Sequence, residues 1–271
     1  MPGSRFSATV VTYRSNLDRL EKALASLRIA LAEAKRQDLV SDASLFIVDN
    51  GPAQSLDPLR GAVRAFGEPA RIVHGHGNVG YGRANNLVLS ELESDIHLVM
   101  NPDVELEPNA LAAALAAMRD DPAIGIVAPA VRDADGELSH LCKRYPSVWV
   151  LFLRGFAPRF LRHRYARALD DYEMRDLRAD RRTPVPLASG CFMLVRTALF
   201  KRLAGFDPGY FMYFEDYDLS LRAAREAKVL YVPEACIVHH GGDAAAKGPR
   251  HVAWFLRSAW RFFARHGWKL A

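Results

Sequence analysis

Four short apolar runs open this chain, and each stops at small polar or acidic residues before a helical pattern begins. Phe6–Tyr13 (FSATVVTY) ends in Thr12-Tyr13-Arg14. Ser44–Val48 (SLFIV) leads into Asp49-Asn50-Gly51. Ala70–His74 leads into the glycine-rich GHGNVGYGRANN at 75–86, and Ile96–Met100 into Asn101-Pro102-Asp103. Between them, Leu17, Leu20, Leu24, Leu27 and Leu31 recur at helical spacing, which predicts a helix over Asn16–Gln37 with Asn16 as its N-cap. Leu56–Phe66, Tyr81–Glu93 and Pro108–Arg119, the last with proline in its first turn, read as further helices, and Ile124–Pro129 as a fifth strand. Strands alternating with helices predict a largely parallel α/β sheet. In such sheets ligands bind beyond the carboxyl ends of the strands, so the polar groups after each run gather on one edge.

The second half is less regular. Residues 146–183 fit no element pattern, although they hold an apolar piece, VWVLFL at 148–153. Pro184–Val195 returns to strand character, Thr197–Leu203 reads as a short helix, and Leu219–Ala227 as another. Val229–Val232 and Cys236–His239 read as short strands. Before the helix at 219 stands FMYFEDYDLSLR (211–222), where Glu215, Asp216 and Asp218 lie among aromatic residues. Carboxylates are costly in apolar surroundings unless paired or used. Asp218 suits a helix cap, and Asp216 suits either a cap or a general base.

Composition excludes some classes. With 271 residues, half of them hydrophobic, the chain can build a sizeable core. No apolar run is long enough to cross a membrane, and Met1–Thr9 lacks the layout of a signal peptide. The three cysteines form no CxxC pair, which argues against a zinc site or disulfide framework and fits a reducing cytoplasm. Basic residues are concentrated: Leu138–Leu169 and Ala244–Ala271 each carry several Lys or Arg and no acid, which suggests an anionic partner.

Three motifs carry chemistry. Gly75-His76-Gly77-Asn78-Val79-Gly80 matches the G-x-G-x-x-G dinucleotide fingerprint, but it follows the third strand and not the first, and the acid about 20 residues on, Asp95, stands at the start of the next strand and not its end. A plain turn, or a loop against a nucleotide or sugar, are the other readings. Asn101 and Asp103, at i and i+2 after a buried run, suit either a turn or a hard cation completed by phosphate oxygens. His239-His240 follows a short strand, where one of the two is placed to complete a metal shell and the other is not distinguishable from it.

Taken in order, VVTY, IVDN, GNVGYGRANN, MNPDV, SGCFMLVRTALFKRLAGFDPGYFMYFEDYDLSLR and the late HH resemble family-2 glycosyltransferases of the GT-A fold, in particular the rhamnosyltransferase-like enzymes of bacterial surface-polysaccharide assembly. The likeness runs from about Ala8 to His240. It implies a GT-A catalytic domain over 1–243, with 244–271 as an appended basic amphipathic helix. It implies that Thr12, Tyr13, Arg14, Asp49 and Asn50 line the base and ribose pocket, and that Gly77, Asn78, Gly80 and Arg83 contact the nucleotide and its diphosphate. Asn101-Pro102-Asp103 would be the D-x-D motif with Asn in first place. Asp103 would hold Mg²⁺ or Mn²⁺, with His239 or His240 nearby. Asp216 would be the catalytic base, with Glu215 beside it, in an inverting transfer from a dTDP or UDP sugar, L-rhamnose among the candidates. The acceptor would be a saccharide or a lipid-linked saccharide.

Two rival readings stand beside this one. The Gly75–Gly80 loop alone suggests a nicotinamide-dependent oxidoreductase. The basic segments suggest a non-catalytic module binding anions or nucleic acid. The acidic strand ends argue against the latter, so nucleic acid is not an expected partner. On a helical wheel Val252, Phe255, Leu256, Ala259, Trp260, Phe262 and Phe263 share one arc, and Arg257, Arg261 and Arg265 another. Such a helix suits either peripheral contact with the inner face of the cell membrane or packing on the catalytic domain.

Overall fold

The computed structural model describes residues 3–52, 56–241 and 248–271. Its elements run β1 (Ser4–Thr12), α1 (Leu17–Arg36), β2 (Val40–Asp49), α2 (Asp57–Phe66), β3 (Ala70–Val73), α3 (Tyr81–Asn86), β4 (Ile96–Met100), β5 (Val104–Leu106), α4 (Ala110–Asp120), β6 (Ile124–Arg132) and β7 (Leu138–Ser139). Then come α5 (Val148–Gly155), α6 (Arg159–Arg164), α7 (Ala166–Tyr172), β8 (Thr183–Pro184), β9 (Phe192–Arg196), α8 (Thr197–Arg202), α9 (Glu215–Ala223), β10 (Lys228–His239) and α10 (Pro249–His266). The strands form one sheet in the order β3-β2-β1-β4-β9-β6-β10-β5, with β7 on β6 and β8 on β10.

β3, β2, β1 and β4 are mutually parallel, as the alternation predicts. β1 is buried along nearly its whole length because helices cover both faces, which is why its sequence is apolar throughout and not alternating. α1 and α4 pack on one face: Leu20, Leu24, Leu27 and Leu31 of α1 are all but inaccessible, and the Asn16 side chain accepts the Arg19 N–H at 3.1 Å as the N-cap. α3, α8 and α9 cover the other face around Phe200, Phe206 and Leu219.

Several expectations need correction. The helix predicted at 81–93 ends at Asn86, and a 3₁₀ turn (Leu89–Glu91) follows. Asn86 is held by tertiary contacts, since its Nδ2 donates to the Phe206 carbonyl at 2.7 Å and its Oδ1 accepts the Phe206 N–H at 2.9 Å. Pro108 precedes α4 and lies outside it. Pro184–Val195 is not one strand: β8 and β9 are separated by a stretch that pairs only through an isolated bridge between Leu187 and Lys143. β9 runs antiparallel to both β4 and β6, so the sheet is mixed in its second half. The two short strands at 229–239 are a single β10 with a shift in register between Val232 and Cys236, where Pro233 has no N–H to donate to a ladder. The unassigned 146–183 region forms α5, α6 and α7. The helix expected from Leu219 begins at Glu215.

That last change removes Asp218 from the cap position. It sits inside α9, fully buried, with Oδ2 accepting from Arg222 Nε at 2.7 Å and Oδ1 lying 2.7 Å from His266 Nε2. α10 packs on the domain through Phe255, Ala259, Phe262 and Phe263, which meet Tyr210, Phe214 and Tyr217. Arg261 and Arg265 reach the buried Asp207, so two acidic anchors, Asp207 and Asp218, fasten this helix to the segment before α9 and to α9 itself. Leu256 and Trp260 of the same arc stay exposed, Trp260 by 68%. All three cysteines are buried and free, and among the described residues no helix is long and apolar enough to cross a membrane.

Candidate functional site

The strand ends do meet on one edge. At the end of β1, Thr12 donates its hydroxyl to Asp49 Oδ1 at 2.9 Å, and the Gly51 N–H reaches the same oxygen at 3.1 Å. The Asn50 N–H bonds the Thr12 carbonyl at 2.8 Å. Thr12 and Asn50 are buried, whereas Tyr13 is about half exposed and carries the Arg14 guanidinium 5.7 Å from its ring centre. This edge presents an aromatic face beside a carboxylate, an arrangement suited to a base and a ribose.

Asn50 also ties down the glycine loop. Its Nδ2 donates to the Gly80 carbonyl at 3.3 Å and its Oδ1 meets His76 Nε2 at 2.9 Å. Asn78 Oδ1 accepts the Gly80 N–H at 3.1 Å. Gly77 has positive φ and open space around it. Gly80 (φ +92°) has no such room: a Cβ there would collide with the Phe211 carbonyl, which accepts the Tyr81 N–H at 3.1 Å. At Gly80 the glycine serves a chain-to-chain approach between the loop and FMYF. Arg83 leaves this group. Two residues from Tyr81 on a helix, it points to the far side, donates Nε to the Pro208 carbonyl at 2.6 Å, and faces α10.

At the end of β4, the Asn101 N–H bonds the Cys191 carbonyl at 2.9 Å, and Asp103 turns toward the end of β10. His239 Nε2 lies 3.5 Å from Asp103 Oδ1, and the His240 N–H bonds the Asp103 carbonyl at 3.0 Å. The two histidines separate here. His239 faces Asp103, while His240 Nε2 lies 2.9 Å from Glu105. Burial pushes the Asp103 carboxyl up, but the His239 imidazole, the backbone and Arg19 outweigh it and leave it below its ordinary value. Asp103 Oδ1 is buried without a hydrogen-bond partner. No group of three or more His, Cys, Asp or Glu gathers there among the described residues. An orphaned anionic oxygen with one imidazole nearby fits a hard cation that takes its remaining ligands from phosphate and water.

The segment before β9 joins this motif to α9. The Gly190 N–H donates to Asp216 Oδ2 at 2.8 Å, the Tyr217 N–H donates to Oδ1 at 2.9 Å, and Tyr81 Oη donates to the Gly190 carbonyl at 2.6 Å. A Cβ on Gly190 would sit 3.2 Å from Asp216 Cβ. Thus Asn101, Cys191, Gly190 and Asp216 form a continuous line across the strand ends. Sequence reasoning gave Gly190 and Tyr81 no role, because Gly190 acts through a backbone N–H and Tyr81 looks like an ordinary core aromatic. Arg19, which donates to the His240 carbonyl at 3.0 Å, was also missed.

α9 begins after two consecutive left-handed residues, Tyr213 (φ 69°) and Phe214 (φ 65°). Each such conformation costs a bulky residue about 1–3 kcal/mol. Phe214 packs on Phe255 and Phe262 at 5.2 and 5.3 Å, the Tyr213 hydroxyl meets His251 Nδ1 at 2.8 Å, and Ser258 Oγ donates to the Met212 carbonyl at 2.8 Å. α10 therefore holds the strained turn that aims Asp216. Glu215 is 6% exposed, and its Oε2 is buried without a hydrogen-bond partner. Burial first, then the Asp216 charge, pushes the Glu215 carboxyl up to about 8. Burial also raises Asp216, although the Gly190 and Tyr217 N–H groups pull the other way. At Asp216 desolvation outweighs those N–H groups. Two N–H groups donate to Asp216 and none reaches Glu215 Oε2, so Glu215 is the partner that keeps a proton and Asp216 the one placed to ionise, which is what a general base requires.

The model of the family "Glycosyl transferase family 2" matches residues 7–204. The N-acetylglucosaminyl-diphospho-decaprenol L-rhamnosyltransferase of Mycobacterium tuberculosis (strain CDC 1551 / Oshkosh) is 31% identical over 95% of this chain and 84% of its own length. Among solved structures, GalNAc-T7 with UDP, GalNAc and Mn²⁺ superposes with a TM-score of 0.64 at 15% identity, over 91% of this chain and 45% of that one. The mannosyltransferase PcManGT of Pyrobaculum calidifontis, in complex with GDP-Man and Mn²⁺, superposes with a TM-score of 0.60 at 18% identity, over 97% of this chain and 64% of that one.

Proposed function

The chain belongs to glycosyl transferase family 2, a rhamnosyltransferase-like glycosyltransferase of GT-A fold, and from that premise we propose an inverting transfer with Asp216 as general base. The observation that carries the assignment is the Gly190–Asp216 contact, which fixes one carboxylate of raised proton affinity beside the Asn101–Asp103 strand end. The acceptor hydroxyl attacks the anomeric carbon as its proton passes to Asp216. The bond from that carbon to the diphosphate oxygen breaks, and the nucleoside diphosphate leaves. One displacement inverts the anomeric centre. Tyr13, Asp49 and the Gly77–Gly80 loop hold the nucleotide. Asp103, with His239 beside it, would hold a divalent cation, Mg²⁺ or Mn²⁺, which when bound would supply Lewis-acid stabilisation of the charge on the departing diphosphate. The similarity to a rhamnosyltransferase supports L-rhamnose as the sugar, carried by dTDP, and a lipid-linked saccharide as acceptor in surface-polysaccharide synthesis. Both the oxidoreductase and the non-catalytic readings give way to the family assignment.

The test is Asp216→Asn. Thermal stabilisation by dTDP-rhamnose with Mg²⁺ or Mn²⁺ should persist, while transfer falls by about a hundredfold or more, the scale of a lost general base. Near-normal transfer would sink the assignment.

The site of work follows from a second surface. The Val148 and Trp149 N–H groups bond the carbonyls of Lys269 and Leu270, which joins α5 to the chain's last residues. Phe152, Phe156, Phe160, Trp260 and Leu270 stand exposed there among arginines, Phe160 by 74%. We infer peripheral contact of this face with the anionic inner surface of the cell membrane. Flotation with phosphatidylglycerol vesicles should be lost in a Phe160→Glu, Trp260→Glu double variant, and unchanged flotation would reject it.

A further inference from the structure

Between α3 and α10 lies a cavity of about 310 Å³ lined by Arg83, Gly209, Phe211, Trp254, Arg257 and Ser258. Its two guanidinium groups come from different elements, and among the described residues neither has a carboxylate partner. This contrasts with Arg261 and Arg265 on the same helix, which are both spent on Asp207. The cavity wall is aromatic: the Phe211 and Trp254 rings are 4.7 Å apart, and the Arg250 guanidinium lies 5.8 Å from the Trp254 ring centre. A pocket of this size with paired, uncompensated arginines and an aromatic wall suits a ligand that joins phosphate to a ring or chain.

A chain of hydrogen bonds joins the cavity's Phe211 to the proposed base. The Phe211 carbonyl accepts the Tyr81 N–H, the Tyr81 hydroxyl bonds the Gly190 carbonyl, and the Gly190 N–H holds Asp216. Outward, Arg257 is one helical turn from Trp260, and Leu256 and Trp260 form an exposed apolar stripe at i, i+4. The two arginines thus line the cavity with Phe211, where that chain of hydrogen bonds starts, and Arg257 sits one helical turn from the apolar stripe.

We propose that this cavity is the subsite for the diphosphate of a lipid-linked acceptor, clamped by Arg83 and Arg257, with the sugar reaching past Phe211 toward Asp216 and the lipid leaving along Leu256 and Trp260. The proposal rests on the glycosyl-transfer reading. It moves Arg83 from the donor's diphosphate to the acceptor's.

Equilibrium binding without turnover tests it, with farnesyl diphosphate, farnesol and dTDP as probes on the full chain. The wild type should bind farnesyl diphosphate and hold farnesol far more weakly. Arg257→Ala should weaken farnesyl diphosphate at least tenfold, Arg257→Lys should restore part of that loss, and dTDP binding with Mn²⁺ should not change. Equal loss for dTDP and farnesyl diphosphate would assign the cavity to the donor and overturn the proposal. So would no loss for either, or farnesol binding as tightly as its diphosphate. An unchanged melting temperature in Arg257→Ala separates these outcomes from misfolding. Because no transfer is measured, failure here leaves the Asp216 test standing, and failure of that test leaves this one readable.

Discussion

Replacing Glu215 by Gln should make the protein's stability less sensitive to alkaline pH. Glu215 ionises near 4.5 in an open chain, but its burial against α3 and the Asp216 charge push it to about 8 in the folded state. Between those values the folded protein retains a proton that the unfolded chain has lost. Stability therefore falls as pH rises, by about 1.4 kcal/mol for each pH unit across the interval, and is fully present only below about pH 4.5. For a domain of this size that is about 3–5 °C of melting temperature per pH unit. Gln has the same shape and does not titrate. Its amide faces the same unpartnered surroundings at every pH, so it contributes a constant offset and no slope. Melting curves of wild type and Glu215→Gln recorded from pH 5 to 9 should diverge steadily, with the variant gaining on the wild type up to about pH 8 and running parallel beyond. A difference that does not change with pH would refute the account of Glu215 as a protonated neighbour and leave two anions side by side in the cleft.

Two further outcomes follow. Asp218→Asn leaves Arg222 and His266 facing a neutral side chain in a buried site, and should lower stability by about 3–5 kcal/mol, seen as a drop of about 6–20 °C in melting temperature. Gly80→Ala forces a Cβ into the Phe211 carbonyl from a backbone conformation that only glycine adopts easily. It should cost about 1–3 kcal/mol and reduce transfer at least about tenfold while circular dichroism stays native.

The parallel half of the sheet was legible because its signals are local. Asn16 caps α1, leucines repeat at 3.6, and every apolar run stops where a strand stops. The Asp49 and Asp103 strand ends were legible for the same reason. What escaped depends on partners far along the chain. β9 reads as any buried strand, and nothing within it says that it will insert antiparallel between β4 and β6. The start of α9 was placed four residues late because Tyr213 and Phe214 adopt positive φ only when α10 supports them. Asp218 looked like a cap because His266, its partner, lies 48 residues on. Asp216 and Glu215 were singled out together from sequence, but the difference in their surroundings appears only when Gly190 is brought up to one of them.

The insertion of β9 also fixes an order of assembly. When a growing chain has reached the end of β6, β4 has only β1 as a neighbour, and β6 awaits both β9 and β10. Both strands keep a bare edge until residues 192–196 emerge to fill the gap between them. α10, made later still, then closes over the turn that positions Asp216. A nascent chain stalled or cleaved between about residues 132 and 192 would leave the β9-facing edge of β4 and the β9- and β10-facing edges of β6 unfilled, the condition that favours aggregation over folding. The enzyme's chemistry therefore waits on α10, and its early half depends on the later strands arriving quickly or on being shielded until they do.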